Sequence, residues 1–253
     1  MKPRITRSIV PNLLTLANLF AGFLSIVYSS QGNYSSAAIF IFAAAVFDML
    51  DGFMARLINA ASEFGVELDS LCDAVSFGIA PSFLLYQIYF HELGELGILV
   101  SALPALLGVV RLARFNVQIE SLEDKKYFIG FPIPSNALMI VSYVIFYHLN
   151  DSIPEQYKPG LIWFITLVGS LAMVSMIKFA NLPRPTKKYF KENPIFSIIF
   201  IIALILSILS GGELIFPFFM VYLLHAAILW LIVWFRTRRE PEDEMDDYEI
   251  DEY

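Results

Sequence analysis

Four aspartates are the residues of this sequence whose type and spacing could do chemistry. Asp48 and Asp51 are three residues apart and Asp69 and Asp73 are four apart, so on helices each pair projects from one face. Two carboxylates about 5 Å apart repel by roughly 3 kcal/mol at an effective dielectric near 20, and a cation between them removes that cost. Oxygen ligands without nearby His or Cys favour Mg²⁺, Mn²⁺ or Ca²⁺ over zinc. Four carboxylates are enough for a two-metal site that holds phosphate oxygens during an in-line displacement.

The segments that carry these aspartates are apolar enough to cross a membrane. The chain is 57% hydrophobic, and about 20 apolar residues make a helix that crosses the hydrocarbon core. The sequence therefore predicts an all-α integral membrane protein, a polytopic bundle of about eight transmembrane helices. The predicted spans are 9–29, 34–58, 68–90, 95–116, 133–149, 159–180, 194–210 and 214–235. Ionisable side chains within such spans are costly and by default mark function.

The basic residues predict the orientation of the bundle. Of the 17 Lys and Arg residues, only Lys158 falls in an outer connection if the N-terminus is cytoplasmic. Positively charged loops remain on the cytoplasmic side, so both termini are predicted to be cytoplasmic. The turn between Leu57 and Gly65 lies on the same side. We therefore expect a multi-pass protein of the cell membrane whose site faces the cytoplasm.

The acidic net charge comes from one end of the chain. Residues 240–253 hold nine acids, and without them 15 acids remain against 17 bases. A run of this composition is typical of a solvated, disordered extension and gives no reason to expect a nucleic-acid partner. Cys72 cannot form an intramolecular disulfide because it is the only cysteine, and we interpret it as a packing residue.

The residues beside the aspartates could complete a nucleotide site. Gly52 removes a side chain where a ribose or diphosphate could approach, and Ala55 keeps that helix face shallow. Arg56 adds a positive charge suited to phosphate, although an ordinary snorkelling arginine would look the same. Ser62 and Gly65 are predicted to lie in the turn that follows. The alternative for some of the aspartates is a helix cap or an ion pair with the nearby arginine.

In order, these residues resemble the signature of the CDP-alcohol phosphotransferase family without a departure. The motif is Asp48-Met-Leu-Asp51-Gly52-Phe-Met-Ala55-Arg56, eight residues, then Gly65-Val-Glu-Leu-Asp69-Ser-Leu-Cys-Asp73. Eight specified positions at about one in twenty each make a chance match on the order of 10⁻¹⁰ per start position. The resemblance implies transfer of a phosphatidyl-type group from a CDP-linked lipid to a small alcohol, with release of CMP.

The resemblance also implies residue roles and domain limits. The four aspartates would hold two divalent cations, Mg²⁺ or Mn²⁺, with Ca²⁺ as an alternative, and Asp73 would also be the general base. The predicted contacts of the CDP-lipid are Asn12, Thr15, Gly52, Ala55, Arg56, Ser62 and Gly65. The family core would cover 1–180, followed by an additional transmembrane hairpin at 181–239 and the acidic tail at 240–253. Family members are commonly homodimers, so we expect a homodimer.

The acceptor alcohol is predicted from three further segments, 12–22, 111–116 and 130–137, which resemble the phosphatidylserine synthase branch of the family. They point to L-serine as acceptor and CDP-diacylglycerol as donor. The predicted acceptor contacts are Arg111, Arg114, Asn116, Ser135 and Glu67. The two arginines could equally be positively charged anchors at the membrane surface. Other acceptors or lipids (glycerol phosphate, inositol phosphate, an archaeal CDP-ether lipid) remain open, as does a cation transporter, since carboxylates in spans also mark ion pathways.

Overall fold

The computed structural model describes residues 5–58, 62–119, 127–150, 152–180, 202, 205–207 and 209–237. Within them, six helices are long and apolar enough to cross a membrane, and a shorter apolar helix covers Ile133–His148. The six are Ser8–Ser30, Tyr34–Leu57, Glu63–Ile88, Phe90–Val117, Glu155–Val174 and Ile215–Trp234. This confirms a polytopic helical membrane protein. The predicted span 194–210 lies largely outside the described residues and the tail 240–253 entirely so, and the count of eight spans stays a prediction.

The first two helices form an antiparallel hairpin. Helix α1 (Ile5–Ser30) begins four residues before the predicted span, and α2 (Tyr34–Leu57) follows a tight turn. Gly32 takes a φ of 75° in that turn, and the Asn33 side chain accepts a hydrogen bond from the Ser36 N–H at 3.1 Å, which caps α2. The hairpin places the N-terminal half of α1 beside the C-terminal half of α2, where the first aspartate pair lies.

The third span is a continuous stack of α3 (Glu63–Asp73), a π-helix π1 (Ala74–Ile79) and α4 (Ala80–Ile88). It begins at Glu63 rather than at 68, so Gly65 lies in the first helical turn and the prediction that it lies in the connecting turn is wrong. The physical reason is a cap: the Ser62 hydroxyl accepts a hydrogen bond from the Gly65 N–H at 3.1 Å. The π-helix starts directly after Asp73, and π-turns inside helices often lie at functional sites.

The fourth span is broken where the sequence predicts one helix over 95–116. A short 3₁₀ turn (Phe90–Leu93) leads into α5 (Gly94–Ser101), and α6 (Leu103–Ile119) follows after Ala102. Pro104 lies in the first turn of α6, where its missing N–H would have no helical partner. The break therefore falls where a proline is best tolerated.

The C-terminal part of the core contains the only strands among the described residues. Helix α7 (Ile133–Tyr143) continues into a π-helix π2 (Val144–His148), and a 3₁₀ turn (Glu155–Tyr157) precedes α8 (Lys158–Val174). Strands β1 (Tyr127–Ile129) and β2 (Lys178–Ala180) pair antiparallel, with Phe128 opposite Phe179. The prediction of a helical span to 180 is thus wrong at its end, because the last apolar residues pair with a segment about 50 residues earlier instead of extending the helix.

The last described helix, α9 (Ile215–Thr237), packs against α7 and β2. The interior between the helices is apolar, with the following side chains fully buried: Ile41, Leu84, Leu85, Ile140 and Ile162. Large apolar side chains also cover the outside, for example Phe20, Leu99 and Val221 at more than half exposure. Such an outer surface suits lipid rather than water.

Candidate metal and nucleotide site

Three of the four predicted aspartates form a tight cluster at one end of the bundle. Asp48 and Asp51 on α2 and Asp69 on α3 each offer an oxygen within 4.8 Å of the others. Asp51 Oδ2 and Asp69 Oδ1 are buried without a hydrogen-bond partner. Buried carboxylate oxygens without donors are strongly destabilising unless a cation compensates them. The donor set and its unpartnered oxygens therefore fit a hard divalent cation.

Asp73 lies beside this cluster with partners of its own. It is the last residue of α3 and only 7% exposed. Asn18 on α1 donates from Nδ2 to Asp73 Oδ1 at 3.1 Å, and the Ser76 hydroxyl in π1 donates to the Asn18 carbonyl at 3.0 Å. The Asn18 side-chain oxygen is buried and has no partner. This hydrogen-bonded position sets Asp73 apart from the three clustered carboxylates.

Neither of the alternative explanations for the aspartates agrees with the structure. Ser62, not Asp69, caps α3. Within the described residues, the one ion pair closer than 4 Å joins Lys158 and Glu155 at the opposite end of the bundle. Arg56 therefore does not neutralise the cluster by direct pairing.

A pocket of about 200 Å³ adjoins the cluster between α1, α2 and α3. Its lining contains every residue predicted to contact the CDP-lipid, together with two of the aspartates. The lining residues are Pro11, Asn12, Thr15, Asp51, Gly52, Ala55, Arg56, Ser62, Gly65, Val66 and Asp69. The sequence did not single out Val66, an apolar residue with no distinguishing signal.

The two glycines of the pocket keep its walls open. A Cβ on Gly65 would lie 3.2 Å from the Ser62 hydroxyl and 3.7 Å from Asn12 Oδ1. A Cβ on Gly52 would lie 3.7 Å from a terminal nitrogen of Arg56, whose side chain is exposed. A Cβ would therefore be crowded at Gly65, whereas at Gly52 it would lie in ordinary van der Waals contact with the guanidinium; at either position it would take up space at the pocket wall.

Helix α6 contributes a buried arginine, Arg111. Its side chain is only 6% exposed, its Nε has no hydrogen-bond partner, and its guanidinium lies 5.9 Å from the centre of the Phe115 ring. It is close enough to Asp73 to interact electrostatically. A buried guanidinium with an unused donor is well suited to an anionic group of a ligand.

Arg114, one turn further along α6, has a different environment. It donates to the carbonyl of Val174 at 3.1 Å, to that of Ile129 at 3.1 Å and to that of Met173 at 3.3 Å. A fourth bond, at 3.4 Å, reaches the carbonyl of Ser175. The guanidinium thus caps the C-terminus of α8 and joins it to β1. This geometry gives Arg114 a structural role, and its predicted contact with an acceptor stays a prediction.

The remaining predicted acceptor residues are spread around this region. Asn116 donates to the Ser70 hydroxyl at 3.0 Å and so links α6 to α3. Ser135 is buried in the first turn of α7, and Glu67 is exposed on α3. Their contact with an acceptor stays a prediction.

The fold and site together define a class: a polytopic helical membrane protein with a carboxylate cluster and an adjoining polar pocket at one end of the bundle. The chain belongs to the CDP-alcohol phosphatidyltransferase family, whose model matches residues 8–176. This confirms the family, and the transferase class, that the aspartate pattern predicts.

Three relatives within the family show which enzymes this chain is similar to. The chain is 38% identical over 226 residues to the CDP-diacylglycerol–serine O-phosphatidyltransferase of Helicobacter pylori, with 88% of this chain and 91% of that protein covered. It is 37% identical over 186 residues to the Bacillus subtilis enzyme of the same name (73% and 94% covered). An archaetidylserine synthase of Methanothermobacter thermautotrophicus is 36% identical over 172 residues (67% and 69% covered).

A solved structure shares the fold. It is the phosphatidylinositol phosphate synthase of Mycobacterium tuberculosis with CDP-DAG bound, at a TM-score of 0.51 and 21% identity. The match covers 65% of this chain and 82% of that one. The likeness shows that the two proteins share the helical fold.

Proposed function

We propose that this protein transfers the phosphatidyl group of CDP-diacylglycerol to the hydroxyl of L-serine and releases CMP. The observation that carries the proposal is the position of Asp73. It is held by Asn18, lies near the carboxylate cluster, and is within electrostatic range of the buried Arg111, whose Nε has no hydrogen-bond partner. The names of the relatives from Helicobacter pylori and Bacillus subtilis support the same reaction.

The donor binds between α1, α2 and α3. Asp48, Asp51, Asp69 and Asp73 would hold two divalent cations, Mg²⁺ or Mn²⁺, which when bound neutralise the diphosphate and polarise the phosphorus under attack. The unpartnered oxygens of Asp51 and Asp69 are the observation that fits such ions. The CDP portion occupies the pocket beside them, with Arg56 at its rim and the two glycines leaving room for the nucleotide.

Asp73 acts as the general base. The serine oxygen attacks the phosphorus that carries the diacylglycerol, its proton passes to Asp73, and the bond to the CMP oxygen breaks, so that CMP leaves with the electron pair. Asn18 donates to Asp73 Oδ1, so Oδ2 is the oxygen that takes the proton, and the second lone pair of Oδ1 could still hold a cation. The same hydrogen bond fixes the carboxylate at the start of π1, so that its direction is set before the acceptor arrives.

The acceptor contacts are assigned to two residues near the base, Arg111 and Asn18, because each has a buried polar atom without a hydrogen-bond partner. Arg111 can receive the serine carboxylate through its free Nε. The buried side-chain oxygen of Asn18 can accept from the serine ammonium. A hydroxyl held between these two contacts lies next to Asp73. Asn18 carries no positive charge, so this position gives no reason to expect a phosphate-bearing acceptor such as glycerol phosphate.

The site faces the cytoplasm in this proposal, and the lipid enters from the bilayer. The placement of 16 of the 17 basic residues supports that orientation, since only Lys158 falls outside. The family match to residue 176 supports a core that ends near residue 180. We also propose that the protein is a homodimer in the cell membrane and has no nucleic-acid partner.

The reaction is tested with purified protein, CDP-diacylglycerol, Mg²⁺ or Mn²⁺ and a panel of acceptors, with CMP and the lipid product measured. We expect CMP and phosphatidylserine in equal amounts with serine. Asp73→Asn should abolish turnover and retain binding of CDP-diacylglycerol, whereas Glu95→Gln, an exposed carboxyl on α5, should leave turnover unchanged. CMP release with another alcohol but not with serine would refute the acceptor and keep the family reaction.

A second candidate keeps the chemistry and changes the lipid. The likeness to an archaetidylserine synthase favours testing a CDP-linked ether lipid in the same assay. Faster turnover with the ether lipid than with CDP-diacylglycerol would select it as the donor. Cation flux in sealed vesicles without CMP release would favour a transporter over either enzyme.

A further inference from the structure

Ser76 is a buried serine of π1 that bonds to another helix rather than to its own. Its side chain is fully buried, and its hydroxyl donates to the backbone carbonyl of Asn18 on α1 at 3.0 Å. Serine hydroxyls inside helices commonly bond back to the preceding turn, as those of Ser101 and Ser142 do here. The bond of Ser76 instead joins π1 to a helix 58 positions earlier in the chain.

The Asn18 carbonyl can accept this bond without breaking its own helix. An α-helical carbonyl uses one lone pair for the N–H four residues later, here that of Gly22, and a second lone pair is left. Gly22 also gives Ser76 room, because a Cβ at that position would lie 2.8 Å from the Ser76 Cα. The missing side chain at Gly22 thus allows the close approach on which the bond depends.

Asn18 is held by the third span at two points. Its carbonyl accepts from Ser76, and its side-chain Nδ2 donates to Asp73 Oδ1 at 3.1 Å. Asp73 and Ser76 are only three residues apart, at the junction of α3 and π1. One bond alone would let α1 turn or slide against the span. Two bonds so close together fix the direction of the Asn18 amide relative to the Asp73 carboxylate.

We propose that Ser76 is a positioning residue of the reaction: it fixes the backbone of Asn18 so that the Asn18 amide holds Asp73 in the direction needed for proton transfer. The inference deepens the proposed function and rests on it, because it assumes that Asp73 takes the proton of the acceptor alcohol. In this role Ser76 acts through Asn18 and need not contact either substrate.

The loss of this bond should affect turnover rather than donor binding. Without the Ser76 hydroxyl, the Asn18 amide samples directions in which it leaves Asp73 Oδ1, so the carboxylate is less often aligned with the attacking hydroxyl. The pocket between α1, α2 and α3 keeps its walls, because α1 remains packed along α2. The change should therefore appear in kcat and not in the KM for CDP-diacylglycerol.

Ser76→Ala tests this directly, because alanine removes the hydroxyl and little else. We expect kcat to fall about tenfold, the upper end of what one neutral hydrogen bond contributes, while the KM for CDP-diacylglycerol stays within about twofold. Ser76→Cys keeps a side chain of similar shape with a weaker donor, so its kcat should lie between those of the wild type and Ser76→Ala.

Ser82 offers a matched control in the same span. It is also buried, and its hydroxyl accepts a hydrogen bond from the backbone N–H of Ala105 at 3.0 Å, which joins α4 to α6. Ser82→Ala should lower the Tm by an amount similar to that in Ser76→Ala and leave kcat within about twofold. An equal fall of kcat in both variants would overturn the role of Ser76. Ser76→Cys and Ser82→Cys give the same comparison if an alanine variant fails to fold.

Asn18→Ala separates positioning from stability. It removes the amide that holds Asp73 but keeps the backbone carbonyl that accepts from Ser76. In this background Ser76→Ala should still lower the Tm but change kcat by less than about twofold, because the group through which Ser76 acts is already gone. A further fall of about tenfold in the double variant would mean that Ser76 acts by another route and would overturn the inference.

The outcomes also distinguish this inference from the proposed function. An unchanged kcat in Ser76→Ala overturns the role of Ser76, while formation of CMP and phosphatidylserine by the wild type still supports the reaction. Wild-type turnover with another alcohol alone refutes serine as the acceptor, and the comparison of kcat with that alcohol decides the role of Ser76. No CMP with any acceptor overturns both.

Discussion

Replacing Arg114 with lysine should destabilise the protein without weakening its affinity for the acceptor. The guanidinium joins four backbone carbonyls, those of Ile129, Met173, Val174 and Ser175. Three of them belong to the C-terminal end of α8, where helix carbonyls lack partners of their own. These bonds form a junction between β1 and the C-terminal end of α8. Lysine keeps the charge, but its single ammonium cannot reach both sides of this junction.

The expected loss follows from these contacts. A hydrogen bond to a charged donor contributes about 1.5 to 3 kcal/mol. Lysine can keep one or two of the four bonds. Because three of the four share the two hydrogens of one terminal nitrogen, each is weaker than a full bond, and the net loss lies at the low end of the range for two lost bonds, about 3 kcal/mol. For a chain of this size that corresponds to a fall in Tm of about 6 to 12 °C. Gly130→Ala should act through the same junction, because its φ of 81° and its contact with Arg114 leave no room for a Cβ.

The assay combines thermal unfolding in detergent with steady-state kinetics at a temperature where the variant is folded. Arg114→Lys should lower the Tm and leave the KM for serine within about twofold of the wild type, since both terminal nitrogens of Arg114 already donate to backbone carbonyls. Arg111→Lys is the counterpart. It should leave the Tm nearly unchanged and raise the KM for serine on the order of tenfold or more, because the contact with the carboxylate is lost.

The opposite pattern would refute the reasoning. If Arg114→Lys raised the KM for serine at an unchanged Tm, Arg114 would be an acceptor ligand, as the sequence predicts. If both variants behaved alike, the division of roles between the two arginines would fail.

Three further predictions concern the space and charge around the aspartates. Gly22→Ala places a Cβ 2.8 Å from the Ser76 Cα in π1, so it should displace the turn after Asp73 and lower kcat on the order of tenfold to a hundredfold. Gly65→Ala narrows the pocket beside Asn12 and should raise the KM for CDP-diacylglycerol several-fold, measured by CMP release. Chelation of divalent cations should abolish CMP release, and Mg²⁺ or Mn²⁺ should restore it; Asp48→Asn should raise the metal concentration needed for half-maximal activity.

The controls for these predictions come from the same chain. Gly160→Ala on α8 has open space around the added Cβ and should behave as wild type in both glycine assays. Normal turnover in Gly22→Ala would mean that the position of Asp73 does not depend on the close approach of α1 to π1. An unchanged KM for CDP-diacylglycerol in Gly65→Ala would indicate that the nucleotide does not bind in this pocket. Undiminished CMP release after chelation would contradict the metal site.

The sequence predicts much of the fold because the bilayer permits few structures. A span must be a helix of about 20 apolar residues whose backbone groups are bonded internally, so hydropathy alone locates most of the helices. The ends are less predictable. Glu63 begins α3 because a serine side chain caps it, and Val174 ends α8 because the following residues pair with β1. Caps and distant strand partners leave no trace in the hydropathy of a window.

Part of the site is made of residues that lie close together in the sequence, and that part could also be predicted. Helical periodicity alone places Asp48 with Asp51 and Asp69 with Asp73, and a short turn between two antiparallel helices brings the pairs together. For this reason the sequence by itself determined the carboxylates, the residues that line the adjoining pocket and the family. Asn18 also carried a signal, a polar residue in an apolar helix, but its partner could not be inferred.

Only the tertiary structure distinguishes the two arginines that the sequence predicts as acceptor contacts. Arg111 and Arg114 are the same residue type on the same helix, three residues apart, and the sequence treats them alike. Packing separates them, because one meets the carbonyls at the end of α8 while the other is buried near Asp73 with an unused donor. The bond from Asn18 to Asp73 spans 55 positions, and α9 packs on α7 and β2 from beyond the residues that the family model matches. Contacts between elements so distant in the chain depend on how whole helices pack, and no spacing within the sequence encodes them.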